Sequence, residues 1–495
     1  MISEINTQDI KPTKNILIVE KLIFLGILLS YSYFFSAGEW NQISRYDLIF
    51  TLVEPHTMEA PLFSIDRFIE SPKHNFNTGD WAQHDGHYYS NKAPGSALLG
   101  SAVYSILYAL EHSLLGLEVK EPGLTIFNLW IINIFVSVLP LAFSALCFFR
   151  LVLMLSRRYQ ETLIATIFLY WGSLLFPYAT QLWGTTSACA FIIIGLYFLY
   201  AQHTRSLLLC GIFWGLAVLT EYAAAPAVFF LVAFSTTQNS KRRLLSLATG
   251  LFGPAVVYMF YHSACFGNFW KPASFYSNPE FAQAEQVFGM FDLINTEALG
   301  TILYSNRIGI FLHMPILLFA LIGLYFASKN TLQRKLAATL ALAALVQLVL
   351  NSTFLGWHGG FVVGARYQIP VLGLYALALC FVPQSKILLK LMKVALGISM
   401  ANMLVIASLT PIYAIKDAHY LGLTEYYRRF FDGNIAQHTY HVRTTFPDYP
   451  PIQHFHTFNI GELLGLKGLA TLAPLLVGLF LFVIFSKNLL KRFES

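Results

Sequence analysis

Charge is what this sequence lacks. Only 12% of its 495 residues are Asp, Glu, Lys or Arg, against roughly 25% in soluble domains. That is too few to cover the surface of a water-soluble protein of this length. Cysteine is scarce as well. Cys147, Cys189, Cys210, Cys265 and Cys380 stand apart from one another at no metal or redox spacing. That excludes a disulfide framework and leaves small core residues. No internal repeat is visible, and no Gly/Pro-broken hydrophobic pair recurs in the two halves, which weakens a transporter reading. No small-residue cleavage site follows the first apolar run, so it reads as a retained signal anchor behind a polar leader.

Apolar residues dominate: 56% are hydrophobic and 16% aromatic, and the mean hydropathy is +0.57. Repeated apolar runs of roughly 17–25 residues define an all-α polytopic membrane protein. Spans fall at about 16–36, 124–154, 159–178, 184–202, 206–220, 222–237, 244–262, 308–328, 336–353, 368–383, 393–413 and 468–486. The run 96–117 is apolar enough to cross but is broken by Glu111 and His112. Basic clusters decide its fate. If it does not cross, Lys11/Lys14, Arg157/Arg158, Arg205, Lys241-Arg242-Arg243, Lys329/Arg334/Lys335, Lys386/Lys390/Lys393 and Lys487/Lys491/Arg492 all share the cytoplasmic side, as the positive-inside rule requires. The expectation is therefore a bundle of about 12 transmembrane helices with 96–117 as an interfacial or re-entrant helix. The chain divides into a leader 1–15, a transmembrane module 16–413 containing a first outer loop 37–123, an outer loop 414–467, and a last span with cytoplasmic tail, 468–495. The net charge of +6 sits in these topology clusters and is no nucleic-acid signal.

The loop segment Thr78–Gly95 concentrates the chemistry. Asp80, Asp85, His84, His87, Tyr88, Tyr89 and Lys92 lie within it, beside a membrane. A loop that only links two helices does not need them. A site that binds phosphate and manages a proton does: Lys offers a compact point charge and a carboxylate a general base.

The order "one span, a large outer loop bearing acid and base, then many spans" resembles the GT-C superfamily of membrane glycosyltransferases. Within it the chain is similar to glycosyltransferase family 39, the protein O-mannosyltransferase and lipid A aminoarabinose transferase group. Ser44-Arg-Tyr46 opens an amphipathic helix after the first span. Asp85-Gly-His-Tyr-Tyr-Ser-Asn-Lys-Ala-Pro-Gly95 resembles the family's G-x-x-Y-x-x-K-P-P element. Phe354-Leu-Gly-Trp-His-Gly-Gly-Phe-Val-Val-Gly-Ala-Arg-Tyr367, Ser305-Asn-Arg-Ile-Gly309 and Phe458-Asn-Ile-Gly-Glu-Leu-Leu-Gly465 look like signatures of bacterial members. The resemblance implies a polyprenyl-phosphate-linked sugar donor, an acidic base in the first outer loop, inversion at the anomeric carbon, and a periplasmic site on the bacterial inner membrane. The acceptor is expected to be a lipid or surface glycan. The sequence also departs from the family. Where an Asp or Asp-Glu usually precedes the Arg-Tyr, it has Asn41-Gln42-Ile43, and where the second acid falls it has Gln181-Leu-Trp-Gly-Thr-Thr186.

The expected base is Asp80 or Asp47, with Asp66 and Asp85 as further candidates. Lys92 precedes a helix start, itself a favourable anion site. Arg45, Arg307 and Arg366 sit at outer ends of apolar segments, and arginine forks bind phosphate bidentately. Tyr88, His87 and Tyr367 flank these cations, and Glu221 and His358 are further polar groups at the membrane edge. Arg45 and Asp47 share a helix whose apolar positions Leu48, Ile49, Leu52 and Val53 are expected to face the membrane. The histidines, including the 437–443 cluster with His454 and His456, match no compact ligand set. No cofactor is called for, and a divalent metal stays open only where an acidic pair sits beside them. The rival readings are a transporter or flippase of a lipid-linked saccharide and a non-catalytic partner protein of the same fold.

Overall fold

The computed structural model describes residues 14–37, 39–55, 60–69, 78–117, 122–201, 205–237, 240–280, 286–287, 289–412, 422–435 and 457–481. The basic clusters at Lys11 and Lys487–Arg492 and the histidines of 437–456 lie outside them. The described residues are mostly helical. The first apolar run forms α1 (Lys14–Ser32), followed by β1 (Phe34–Ser36) and α2 (Trp40–Val53). A hairpin of β2 (Trp81–His84) and β3 (His87–Ser90) leads into α3 (Gly95–Tyr108). Next come α4 (Pro122–Asn133), a π-helical segment Ile134–Val138 and α5 (Leu139–Ser156). The middle of the chain forms α6 (Tyr159–Trp171), α7 (Gly184–Tyr200), α8 (Ser206–Thr220), α9 (Ala225–Thr236) and α10 (Lys241–Phe266).

Among the described residues, five helices are long and apolar enough to cross a membrane: Lys14–Ser32, Leu124–Ser156, Arg243–Phe266, Arg334–Thr353 and Lys386–Leu409. The other runs read from the sequence are shorter. Apolar helices of 10–17 residues occupy Gly184–Tyr200, Ser206–Thr220, Tyr222–Thr236, Leu317–Lys329, Arg366–Phe381 and Gly468–Leu481. The run 159–178 breaks after Trp171. The run 308–328 breaks around Pro315, where a proline removes a backbone donor. Hydropathy marks apolar length, and it does not mark where the backbone ladder is interrupted. One core gathers α1 and α5 through α9 with the later helices around Tyr170, Leu174, Trp214 and Leu372.

A second, smaller core carries the outer layer. Here the sequence expectation for α2 needs correction. Leu48 and Ile49 are buried within the protein, packed with Tyr104 of α3 and Leu129 and Ile132 of α4, and do not face the membrane. Leu52 and Val53 are half-buried. An amphipathic pattern identifies the apolar face but not whether lipid or protein covers it. On α3, Gly95, Ala97, Gly100 and Tyr104 are buried while Ile106 is exposed.

The outer layer is closed from the far end of the chain. β4 (Thr457–Asn459) pairs antiparallel with β1, Phe34 opposite Asn459. The Ser36 hydroxyl adds contacts of 3.0 Å to both Thr410 Oγ1 and Thr457 Oγ1.

Candidate functional site

The first turns of α2 form the seat of the site. The Thr78 hydroxyl donates to the Trp40 carbonyl at 2.9 Å, and the Asp80 N–H donates back to Thr78 Oγ1 at 3.1 Å. The Ser44 hydroxyl donates to the Asp80 carbonyl at 2.6 Å and lies 2.8 Å from Ser90 Oγ. The Lys92 N–H reaches Ser90 Oγ at 3.3 Å. These contacts lock segments 78–80 and 90–92 onto one helix. Their side chains then meet: Lys92 Nζ pairs with Asp80 Oδ2 at 2.9 Å, both mostly buried.

Arg45 is buried under this seat. It donates to Glu221 Oε2 at 3.3 Å, to the Ala93 carbonyl at 3.1 Å and to Asn41 Oδ1 at 3.3 Å. Glu221 ends α8, and two helix starts press against the same backbone. A Cβ on Gly184 would stand 2.0 Å from the Thr220 carbonyl oxygen, and one on Gly95 would stand 2.6 Å from that of Leu219. Only glycine permits α3 and α7 to begin there.

Trp183, next to Gly184, carries the opposite wall. The Arg366 guanidinium lies 4.4 Å from a Trp183 ring centroid and 4.8 Å from that of Tyr367. Its Nη2 donates to the Tyr367 hydroxyl at 3.0 Å. Its Nε and Nη1 are buried with no hydrogen-bond partner among the described residues. Two open guanidinium N–H groups held over aromatic faces require an acceptor, and an anionic oxygen pair fits that fork. Arg307 braces the same loop, donating to the Gly360 carbonyl at 2.7 Å and accepting the Gly364 N–H at 2.9 Å. His358 Nδ1 accepts the Gly360 N–H at 3.0 Å. Burial, and then the neighbouring Arg307 charge, push the His358 pKa down, so the ring stays neutral near pH 7.

The cluster therefore joins Asp80, Lys92, Arg45, Glu221, Arg366, Tyr367, Arg307 and His358 from five separate stretches of sequence. Glu39, at the N-cap of α2, belongs to it too, within electrostatic reach of Arg366, Asp80 and Lys92. Neither Glu39 nor Trp183 is among the candidates named from the sequence. A glutamate immediately before a helix start was the available signal for the first. Other candidates lie apart. Asp66 accepts the Tyr88 N–H at 2.5 Å and meets His87 Nδ1 at 2.7 Å, holding the hairpin. Tyr88 packs edge-on against Trp81. Asp85 is exposed at the hairpin tip with φ 49. Among the described residues, no three His, Cys, Asp or Glu side chains converge as a metal site.

Asp47 is fully buried on α2, and neither carboxylate oxygen has a hydrogen-bond partner among the described residues. Burial pushes its pKa well up, with the Arg67 charge opposing. The native pKa thus exceeds the unfolded one. Stability is fully present below the unfolded value and is lost as pH rises through the native value. Asp47→Asn should remove that loss. Its thermal midpoint should hold from pH 5 to pH 9 where the wild type declines, a gain on the order of 1–3 kcal/mol at the alkaline end. Turnover of the same variant decides whether this carboxyl also serves as a base.

Where the family motif carries acids, Gln42 and Gln181 are buried and hydrogen-bonded side chain to side chain. A neutral amide pair fills that place.

No family model matches the sequence, and no curated protein does. Two solved structures are similar to it, both of ArnT from Cupriavidus metallidurans. The crystal structure bound to undecaprenyl phosphate has a TM-score of 0.46 at 14% identity, covering 84% of this chain and 68% of that one. The apo crystal structure has a TM-score of 0.42 at 14% identity, covering 85% and 67%.

Proposed function

We propose that this protein is an inverting membrane glycosyltransferase that takes a sugar from a polyprenyl-phosphate donor at the periplasmic face of a bacterial inner membrane. One observation carries the reading. Lys92 and Arg366, far apart in sequence, join one buried cluster in which Arg366 keeps two N–H donors open. Fixed cations aimed at a leaving phosphate stabilise the charge that develops as the glycosidic bond breaks. A polyprenyl-phosphate leaving group needs little more than that and a base for the acceptor. Tyr88 and His87 would steady the hairpin that leads to Lys92, His87 through Asp66 and Tyr88 against Trp81. The acceptor is proposed to be a lipid or surface glycan. The shorter helices, together with the five long ones, would supply about twelve crossings, keeping all described basic clusters on the cytoplasmic side.

Membrane vesicles of opposite orientation test activity and sidedness together. Undecaprenyl phosphate linked to mannose, glucose or 4-aminoarabinose is supplied to each, with lipopolysaccharide and lipid extract as acceptors. Right-side-out vesicles are expected to release undecaprenyl phosphate, and sealed inside-out vesicles are not. Movement of the intact lipid-linked sugar between leaflets, without release, would establish the flippase instead. The Gln42–Gln181 pair favours the remaining rival, a non-catalytic partner; binding of undecaprenyl phosphate with no release under any condition would support it.

A further inference from the structure

Three carboxylates border the cation cluster, and two are committed. Asp80 takes Lys92 and Glu221 takes Arg45. Glu39 forms no ion pair among the described residues. Its Oε2 accepts the Asn41 N–H at 3.0 Å, and its Oε1 makes no described hydrogen bond. The N-cap contact fixes the carboxyl at the start of α2, on the helix that the Asp80 and Lys92 segments are locked to through Trp40 and Ser44. The charged groups facing it are Arg366 from the 354–367 loop, Asp80 from the 78–80 turn and Lys92 ahead of α3. One turn further along α2 the side chain is Gln42, whose amide N–H donates a hydrogen bond to Gln181 Oε1, and neither amide can take up a proton at neutral pH.

We propose that Glu39 is the general base of this site, an assignment that rests on the transferase reading above. The acceptor hydroxyl loses its proton to the Glu39 carboxylate as its oxygen bonds to the anomeric carbon. The bond from that carbon to the donor phosphate oxygen breaks on the opposite side, and its electron pair leaves with the polyprenyl phosphate. Lys92 and Arg366 hold the resulting dianion, and Glu39 returns its proton to water after transfer. Burial raises the Glu39 pKa, Arg366 and Lys92 counter the rise, and Asp80 adds to it. A raised carboxylate pKa brings a base closer to the operating pH, which strengthens proton abstraction.

Glu39→Gln separates this role from helix capping, because the glutamine carbonyl still accepts the Asn41 N–H. Purified full-length protein in nanodiscs is assayed for binding of undecaprenyl phosphate and for its release from the same three lipid-linked sugars. The variant is expected to bind undecaprenyl phosphate like the wild type and to lose turnover by roughly 10²–10⁴-fold. Glu39→Asp is expected to keep part of the turnover, with the acid limb of kcat moved to lower pH. Turnover of Glu39→Gln at about the wild-type rate would overturn the assignment and leave the transferase reading standing. Wild-type protein that does not bind undecaprenyl phosphate would overturn both.

Discussion

Lys92→Met and Arg366→Met are each expected to cost a hundredfold or more in turnover of a polyprenyl-phosphate donor. A charge-assisted hydrogen bond in a buried site contributes about 1.5–3 kcal/mol, and every ~1.4 kcal/mol is tenfold. The two variants should differ in what else they lose. Lys92→Met strands Asp80, which is mostly buried and pairs with it at 2.9 Å. Its thermal midpoint should fall, and Lys92→Met with Asp80→Asn should recover the midpoint without recovering turnover. Arg366 pairs with no carboxylate among the described residues and lies over the Trp183 and Tyr367 rings. Arg366→Met, which preserves the apolar packing, should leave the midpoint near wild type. Arg366→Lys should restore charge but only a fraction of turnover, since an ammonium cannot present the two open donors of the fork. Donor binding and turnover near wild type in both methionine variants would remove these residues from the site.

Arg45→Met is the second large effect, and it falls on folding. Arg45 is 1% exposed, and its three hydrogen bonds tie Asn41, the Ala93 carbonyl and Glu221 together. Removing one partner of a buried pair costs about 3–5 kcal/mol, because the other charge stays behind without compensation. The variant should accumulate poorly in membranes and unfold at a markedly lower temperature in detergent. Adding Glu221→Gln should return part of the loss by removing the stranded charge. If Arg45, the arginine of Ser44-Arg-Tyr46, acts on the donor, Arg45→Met would instead unfold like the wild type and show a raised KM for the lipid donor. Thermal unfolding and donor kinetics on the same preparation separate the two.

Local features of the site were readable in the sequence, and relational ones were not. Asp80 and Lys92 share a short polar loop, so their pairing was within reach of spacing alone. The resemblance to family motifs placed Arg366 on the outer face. What one sequence cannot give is which charges use each other up. Arg45 reads as a free cation until Glu221, 176 positions away, is brought beneath it by the glycine contacts at the end of α8. Asp47 reads as a candidate base on α2, yet helical periodicity does not say that residues of α3 and α4 pack over Leu48 and Ile49 of the same helix. The number of membrane crossings met the same limit. Pro315 and the break after Trp171 shorten helices that hydropathy draws as continuous.

The pairing of β1 with β4 gives this architecture a schedule. Phe34–Ser36 leaves the ribosome well before its partner Thr457–Asn459. At 5–20 residues per second, the early strand waits on the order of tens of seconds for the late one. Throughout that interval the span, the α2 seat and the hairpin must be inserted and held with an unpaired strand edge beside them. A chain that stops short of residue 457 lacks β4 and leaves the β1 edge without that partner.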